Sequence, residues 1–183
     1  YSHDNIGYGN INLTDQEMHT TAVWWRADPS KLERLMPNRQ KAIEGFLGAA
    51  YALHHVSALR AMSELRDLGR AVGDGEGTWS ATVGADGRGG MRGRDDAPAD
   101  PDSERRFAPT LFLYDNYPGG VGLSAPLFDD AARLVADAER LVRDCPCTAG
   151  CPACVGPILA GDDGRAVMPK DLALRVLGLL GEA

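Results

Sequence analysis

All four cysteines of the chain fall within ten residues, as Cys145, Cys147, Cys151 and Cys154. This C-x-C-x3-C-x2-C cluster constrains the fold more than any other feature. Thiolates so close in sequence can converge on one tetrahedral ion, with Zn–S bonds of about 2.3 Å. Pro146 and Pro152 stiffen the turns between them, and Gly150 lets the backbone reverse before the second pair. With four thiols the coordination sphere is complete, so the pattern reads as a structural Zn2+ site rather than a catalytic one with an open position. Other uses of four thiols stay open at this level. Two disulfides satisfy parity, although nothing resembling a secretory signal precedes them. Cys151-Pro-Ala-Cys154 has redox-motif spacing without a βαβ lead-in, and an iron–sulfur cluster also takes four thiolates. The zinc deaminase pattern fails for want of an H-x-E element.

The 183 residues suffice for one domain with a real core. No apolar run approaches the ~18 residues of a membrane helix. Tyr1 rather than Met opens the chain, so a piece of a longer protein is expected. Net charge is −7, which argues against a self-sufficient nucleic-acid binder. Residues 1–70 are balanced, with eight basic and eight acidic side chains, and the remainder supplies the negative excess.

Along the chain, 1–13 reads as a polar arm. Met18 to Arg26 alternates as a strand, with Met18, Thr20, Ala22 and Trp24 on one face and His19, Thr21, Val23 and Trp25 on the other. Asp28-Pro29 ends it, and 29–35 forms a short helical turn. Ile43, Phe46, Leu47, Ala50, Leu53 and Val56 mark a helix over about 38–62, in which Gly45 and Gly48 permit close packing. Its His54 and His55 read as one packed, hydrogen-bonded ring beside an exposed one. Gly69 reads as the stop after that helix. A short strand is expected over 78–83, and 84–108 as a flexible surface loop. The Arg-Gly-Gly stretch in that loop is followed by acidic residues and reads as solvated.

Thr110 to Tyr114 is apolar and β-prone, a buried strand. Asp115-Asn-Tyr-Pro-Gly-Gly120 is turn chemistry. A helix is predicted over about 122–143, with Leu127, Phe128, Ala131, Val135, Ala138, Leu141 and Val142 inward, then the cysteine knuckle over 145–157, then a helix over 170–180. Strand, glycine-rich turn and helix imitate a phosphate loop, but no Lys or Arg lies between Tyr114 and Phe128, and the G-x-G-x-x-G spacing is absent. The turn either packs tightly or offers bare N–H groups to an anion, with Asp115 opposing the second use. Ser124 lies outside any nucleophile elbow, and no catalytic residue or cofactor-binding residue is identified. The fold class expected is α+β, a small mixed sheet with two long helices and a four-cysteine zinc knuckle.

Leu111-Phe-Leu-Tyr-Asp-Asn-Tyr-Pro-Gly-Gly-Val-Gly-Leu123, followed by Cys145-Pro-Cys and Gly150-Cys-Pro-Ala-Cys-Val-Gly-Pro157, resembles the C-terminal zinc-binding domain of MrfA/YprA-like superfamily 2 DEAD/DEAH-box DNA helicases. His19 to Trp25 and Arg66-Asp-Leu-Gly69 resemble earlier segments of that domain more loosely. Where the family carries a Cys-Asp-Pro-type stretch, this chain reads Met62-Ser-Glu-Leu65. The resemblance implies that residues 1–183 form one helicase-associated domain of a longer cytoplasmic protein, with Cys145, Cys147, Cys151 and Cys154 as zinc ligands. It further implies a monomer whose partners are the upstream helicase core of the same polypeptide and single-stranded DNA. ATP and Mg2+ belong to that upstream motor, which would run 3′→5′ in DNA repair, and this chain alone is not an enzyme. Trp24, Trp25 and Tyr117 are candidates for base stacking. The competing reading is a zinc-stabilised protein-interaction module of a multi-subunit defence or repair complex, which the acidic charge suits.

Overall fold

A computed structural model describes residues 17–74, 79–83, 89–93, 107–157 and 168–182. The arm expected over 1–13 and most of the loop expected over 84–108 lie outside these residues. The elements are β1 (Ala22–Arg26), α1 (Pro29–Leu35), α2 (Arg39–Arg60), β2 (Leu68–Gly73), β3 (Trp79–Val83), β4 (Gly89–Gly93), β5 (Thr110–Asp115), α3 (Ser124–Asp129), α4 (Ala131–Asp144) and α5 (Pro169–Gly181).

Local chemistry sets the early boundaries. The Asp28 carboxylate accepts from the Ser30 N–H at 2.8 Å with Pro29 in the first turn, so α1 starts there. The Asn38 side chain caps α2 by accepting from the Lys41 N–H at 2.9 Å. In β1, Val23 and Trp25 are buried while Ala22, Trp24 and Arg26 face outward, as the alternation predicts.

The sheet order is β1-β5-β2-β3-β4, and every pairing is antiparallel. The α+β class stands, but the sheet is not mixed. β5 lies between β1 and β2 and runs against both, with Leu113 opposite Val23 on one side and Arg70 on the other. The expected stop at Gly69 is instead the second residue of β2, since α2 already ends at Arg60. The expected loop over 84–108 contains β4, which pairs with β3 from Val83↔Gly89 to Trp79↔Gly93. Backbone pairing builds that strand, because Gly-Gly-Met-Arg-Gly carries no apolar alternation.

α2 is the central layer. It contacts β2 and β5 on one side and α4 and α5 on the other, so it is buried on several faces rather than along one stripe. Its glycines admit α5. A Cβ on Gly45 would lie 2.8 Å from the Leu172 carbonyl oxygen, and one on Gly48 would lie 3.1 Å from the Ala173 Cβ and 3.4 Å from the Val155 Cβ. The helix expected over 122–143 is broken at Asp130, whose carboxylate turns to the Arg60 Nε at 3.0 Å instead of capping α4. The break also rotates Phe128 out of the inward stripe, leaving it 70% exposed.

His54 joins α2 to β2 and to the turn before it. The Arg70 guanidinium donates to Nδ1 at 2.8 Å, so the ring proton sits on Nε2, which faces the Leu65 and Leu68 carbonyls at 2.9 Å each. His55 is half-buried rather than exposed, donating from Nδ1 to the Tyr51 carbonyl at 2.9 Å. Burial, opposed by the two carbonyls and aided by the Arg70 charge, leaves the His54 pKa below the usual imidazole range. The unfolded chain therefore takes up this proton first, and the stability contributed by neutral His54 is present above about pH 6.5 and lost as pH falls below it. The melting temperature is expected to drop between pH 7.5 and 5.5, and to drop less in His54→Gln; parallel profiles for the two proteins would contradict this.

Candidate metal centre

Helix α4 ends at Asp144, and Cys145 leaves it in an extended conformation that carries the chain outward. Gly150 then reverses the backbone at φ 110, a region that penalises residues with a side chain. A tight turn follows, in which the Cys151 carbonyl accepts from the N–H groups of both Cys154 and Val155 at 3.1 Å. Val155 and Cys154 enter the core beside α2 and α5, so the knuckle is packed into the domain rather than hung from it.

The four thiols come together as expected. Their sulfurs all lie within 4.8 Å of one another. Cys145 and Cys151 are 3.6 Å apart, Cys147 and Cys154 3.5 Å, and Cys151 and Cys154 3.7 Å. Four sulfurs about 2.3 Å from a central ion stand at tetrahedron corners about 3.8 Å apart, so this cradle fits one Zn2+. No disulfide joins them, and a multi-iron cluster would spread its thiolates over separate irons and need a wider cradle. No other trio of His, Cys, Asp or Glu among the described residues is placed to hold a metal, the histidines of α2 included.

The thiols are chemically unequal. The Ala153 N–H, the Cys145 thiol and the Cys154 N–H hold Cys151 down at about 7. Burial pushes Cys154 up to about 12 and raises Cys147 as well. A divalent ion must displace the protons of Cys147 and Cys154, which ties affinity to pH.

Lys170, at the start of α5, closes the knuckle from the other side. Its ammonium donates to the carbonyls of Cys145 at 2.6 Å, Cys147 at 3.0 Å and Arg143 at 3.3 Å, and its N–H donates to the Ala149 carbonyl at 3.1 Å. A lysine in the first turn of a helix, where acidic residues are preferred, is the signal that sequence reading passed over.

The glycine-rich turn after β5 also resolves. Gly119, Gly120 and Gly122 all have positive φ, which turns successive N–H groups inward. The carboxylate of Asp115, fully buried, occupies the resulting nest. Its Oδ2 accepts from the N–H groups of Val121, Gly122 and Leu123 at 2.7, 2.8 and 3.1 Å. Its Oδ1 accepts from the Ser124 N–H at 3.0 Å and the Ser124 hydroxyl at 2.6 Å. Burial would raise this carboxyl, but the hydrogen bonds from Ser124, Val121, Leu123 and Gly122 outweigh it and leave the pKa below the usual carboxylate range. The tight-packing use of the turn is the one the geometry supports, because the anion in the nest is internal.

Of the stacking candidates, Trp25 is in the core. Trp24 is 56% exposed with the Arg26 guanidinium 5.6 Å from its ring centre. Tyr117 is 42% exposed and donates to Asp67 Oδ1 at 2.7 Å, which ties the turn to the Arg66-Asp-Leu-Gly69 segment.

Comparison with known proteins decides the family. The family model described as the MrfA Zn-binding domain matches residues 49–155, more than half of the chain. This chain belongs to the MrfA Zn-binding domain family. Among relatives, a Bacillus subtilis protein described as an uncharacterized ATP-dependent helicase, YprA, is 28% identical over 159 residues, covering 86% of this chain and 17% of that protein. The uncharacterized protein MJ1572.1 of Methanocaldococcus jannaschii is 36% identical over 67 residues, covering 37% of this chain and 59% of that protein. Among solved structures, the DUF1998 helicase MrfA bound to DNA aligns with a TM-score of 0.61 at 27% identity, over 96% of this chain and 19% of that one. MrfA bound to DNA and AMPPNP aligns with a TM-score of 0.54 at 26% identity, over 96% and 17%. This chain thus spans under a fifth of these helicases. None of its described helices is long and apolar enough to cross a membrane.

Replacing Asp115 should show how much of the domain rests on the nest. Asp115→Asn keeps the shape but puts a donor among donors, and is expected to cost about 2 kcal/mol or more by urea denaturation. A loss under about 0.5 kcal/mol would mean that the turn does not depend on the carboxylate.

Proposed function

We propose that this chain is the zinc-binding accessory domain of an ATP-dependent DNA helicase, with Cys145, Cys147, Cys151 and Cys154 as the ligands of one structural Zn2+. The observation that carries the reading is the convergence of four thiols at tetrahedral spacing in a member of the MrfA Zn-binding domain family. The likeness to DNA-bound MrfA across nearly the whole chain supports the helicase context. In this reading residues 1–183 act as one domain of a monomeric cytoplasmic protein that translocates 3′→5′ on single-stranded DNA during repair. ATP and Mg2+ bind the motor, which this chain braces, and no catalytic residue is assigned here. Exposed Trp24 and Tyr117 are the aromatic positions on which a separated strand would stack.

Zinc would supply the order of 145–157, a segment with few apolar side chains of its own; thiolate sites of this kind contribute on the order of 10 kcal/mol of apparent binding energy. The double variant Cys145→Ser/Cys154→Ser is expected to lose its metal, measured by elemental analysis, and to melt well below the parent. Retention of both metal content and melting temperature would remove the four-cysteine site.

The functional half is tested on the intact gene product. ATP hydrolysis stimulated by single-stranded DNA should be present, and should fall sharply when this domain is deleted. The net charge of −7 favours a second reading, a zinc-stabilised protein-interaction module of a defence or repair complex; an intact protein without stimulated hydrolysis would move the assignment there.

A further inference from the structure

We propose that Lys170 is a positioning residue for the metal, fixing the backbone that carries Cys145 and Cys147 and offsetting the charge of the loaded site. The inference rests on the four-cysteine reading above. Four thiolates around a divalent ion leave formal negative charge in excess, in a site where Cys154 is already buried. Such a centre is stabilised by a cation that is held beside it rather than free to wander. Lys170 meets that requirement. Its ammonium is received by three carbonyl oxygens, which hold the cation in place beside the thiols.

The geometry does more than place a charge. Two of the three acceptors are the carbonyls of the first two cysteines, at 2.6 and 3.0 Å. The third, the Arg143 carbonyl, belongs to the last turn of α4, where unpaired carbonyls accumulate and a cation is favoured. The same residue's N–H reaches the Ala149 carbonyl at 3.1 Å. One residue therefore holds the stretch from 143 to 149 at four points. It does so from α5, whose Leu172 and Ala173 are seated against Gly45 and Gly48 of α2. Docking of α5 and closure of the metal site become one event, and a thiolate that detaches does so from a backbone that cannot follow it.

The test uses the purified 183-residue chain as wild type, Lys170→Gln and Lys170→Arg. Gln keeps a donor and removes the charge; Arg keeps the charge. Zinc content is measured by elemental analysis, zinc release by transfer to a chromogenic chelator, and melting in zinc-loaded and zinc-stripped forms. Lys170→Gln is expected to release zinc about tenfold faster, the scale of one charge-assisted contact at a helix terminus. Lys170→Arg should recover most of that difference, and the stripped forms should melt alike. Equal release rates in wild type and Lys170→Gln, with zinc present in both, would overturn the role of Lys170 alone. So would a loss of melting temperature equal in loaded and stripped forms, which marks a plain helix cap. A wild-type chain that holds no zinc would instead remove the four-cysteine reading and this inference with it.

Discussion

The close seating of α5 on α2 is the constraint on which the rest depends. α2 meets both the sheet and the other two long helices, and it is wrapped so fully that small residues line its contact with α5. Gly45 and Gly48 supply them, the first against backbone and the second against Ala173 and Val155. Because Val155 directly follows Cys154, the same contact that brings two helices together also fixes where the last cysteine sits. The metal centre is built on helix packing, with the cysteine spacing selecting which ion fits.

Seen this way, the knuckle and the sheet are stabilised by different physics. The sheet side has ordinary apolar burial, with Leu111, Leu113, Val23, Trp25, Leu68 and Val72 in one core with the apolar residues of α2. The knuckle side has little of this and relies on directional contacts, from the Cys151 turn to the Lys170 ammonium.

Much of this was legible in the residues, and the exceptions share a cause. β1 is legible from its alternation, although it begins at Ala22 rather than Met18, and β5 from its apolar run; α1 and α5 are legible too, because these signals are local. The cysteine cluster was legible because four ligands of one type in ten residues have few uses. β2 was missed because Leu-Gly-Arg-Ala-Val-Gly lacks a clean alternation, and β4 because glycines supply only backbone. The break at Asp130 was hidden because the partner of its carboxylate, Arg60, lies 70 residues away. Lys170 was passed over for a similar reason: its partners are carbonyls, which no side-chain pattern records. The glycine turn left two uses open, and only the direction of the Asp115 side chain could choose between them.

That nest has a consequence for where the folding unit begins and ends. Its closure draws on the two residues just before β1: the Asp115 N–H donates to the Thr21 carbonyl at 3.0 Å, the Thr20 hydroxyl to the Asp115 carbonyl at 2.6 Å, and the Ser124 hydroxyl lies 3.0 Å from the Thr21 carbonyl. The family signature covers only residues 49–155. A chain trimmed to that span would keep every cysteine and every turn glycine, yet lose Thr20 and Thr21, which seal the turn, and the helix that seats the knuckle. The family signature is therefore shorter than the set of contacts that closes the turn and seats the knuckle.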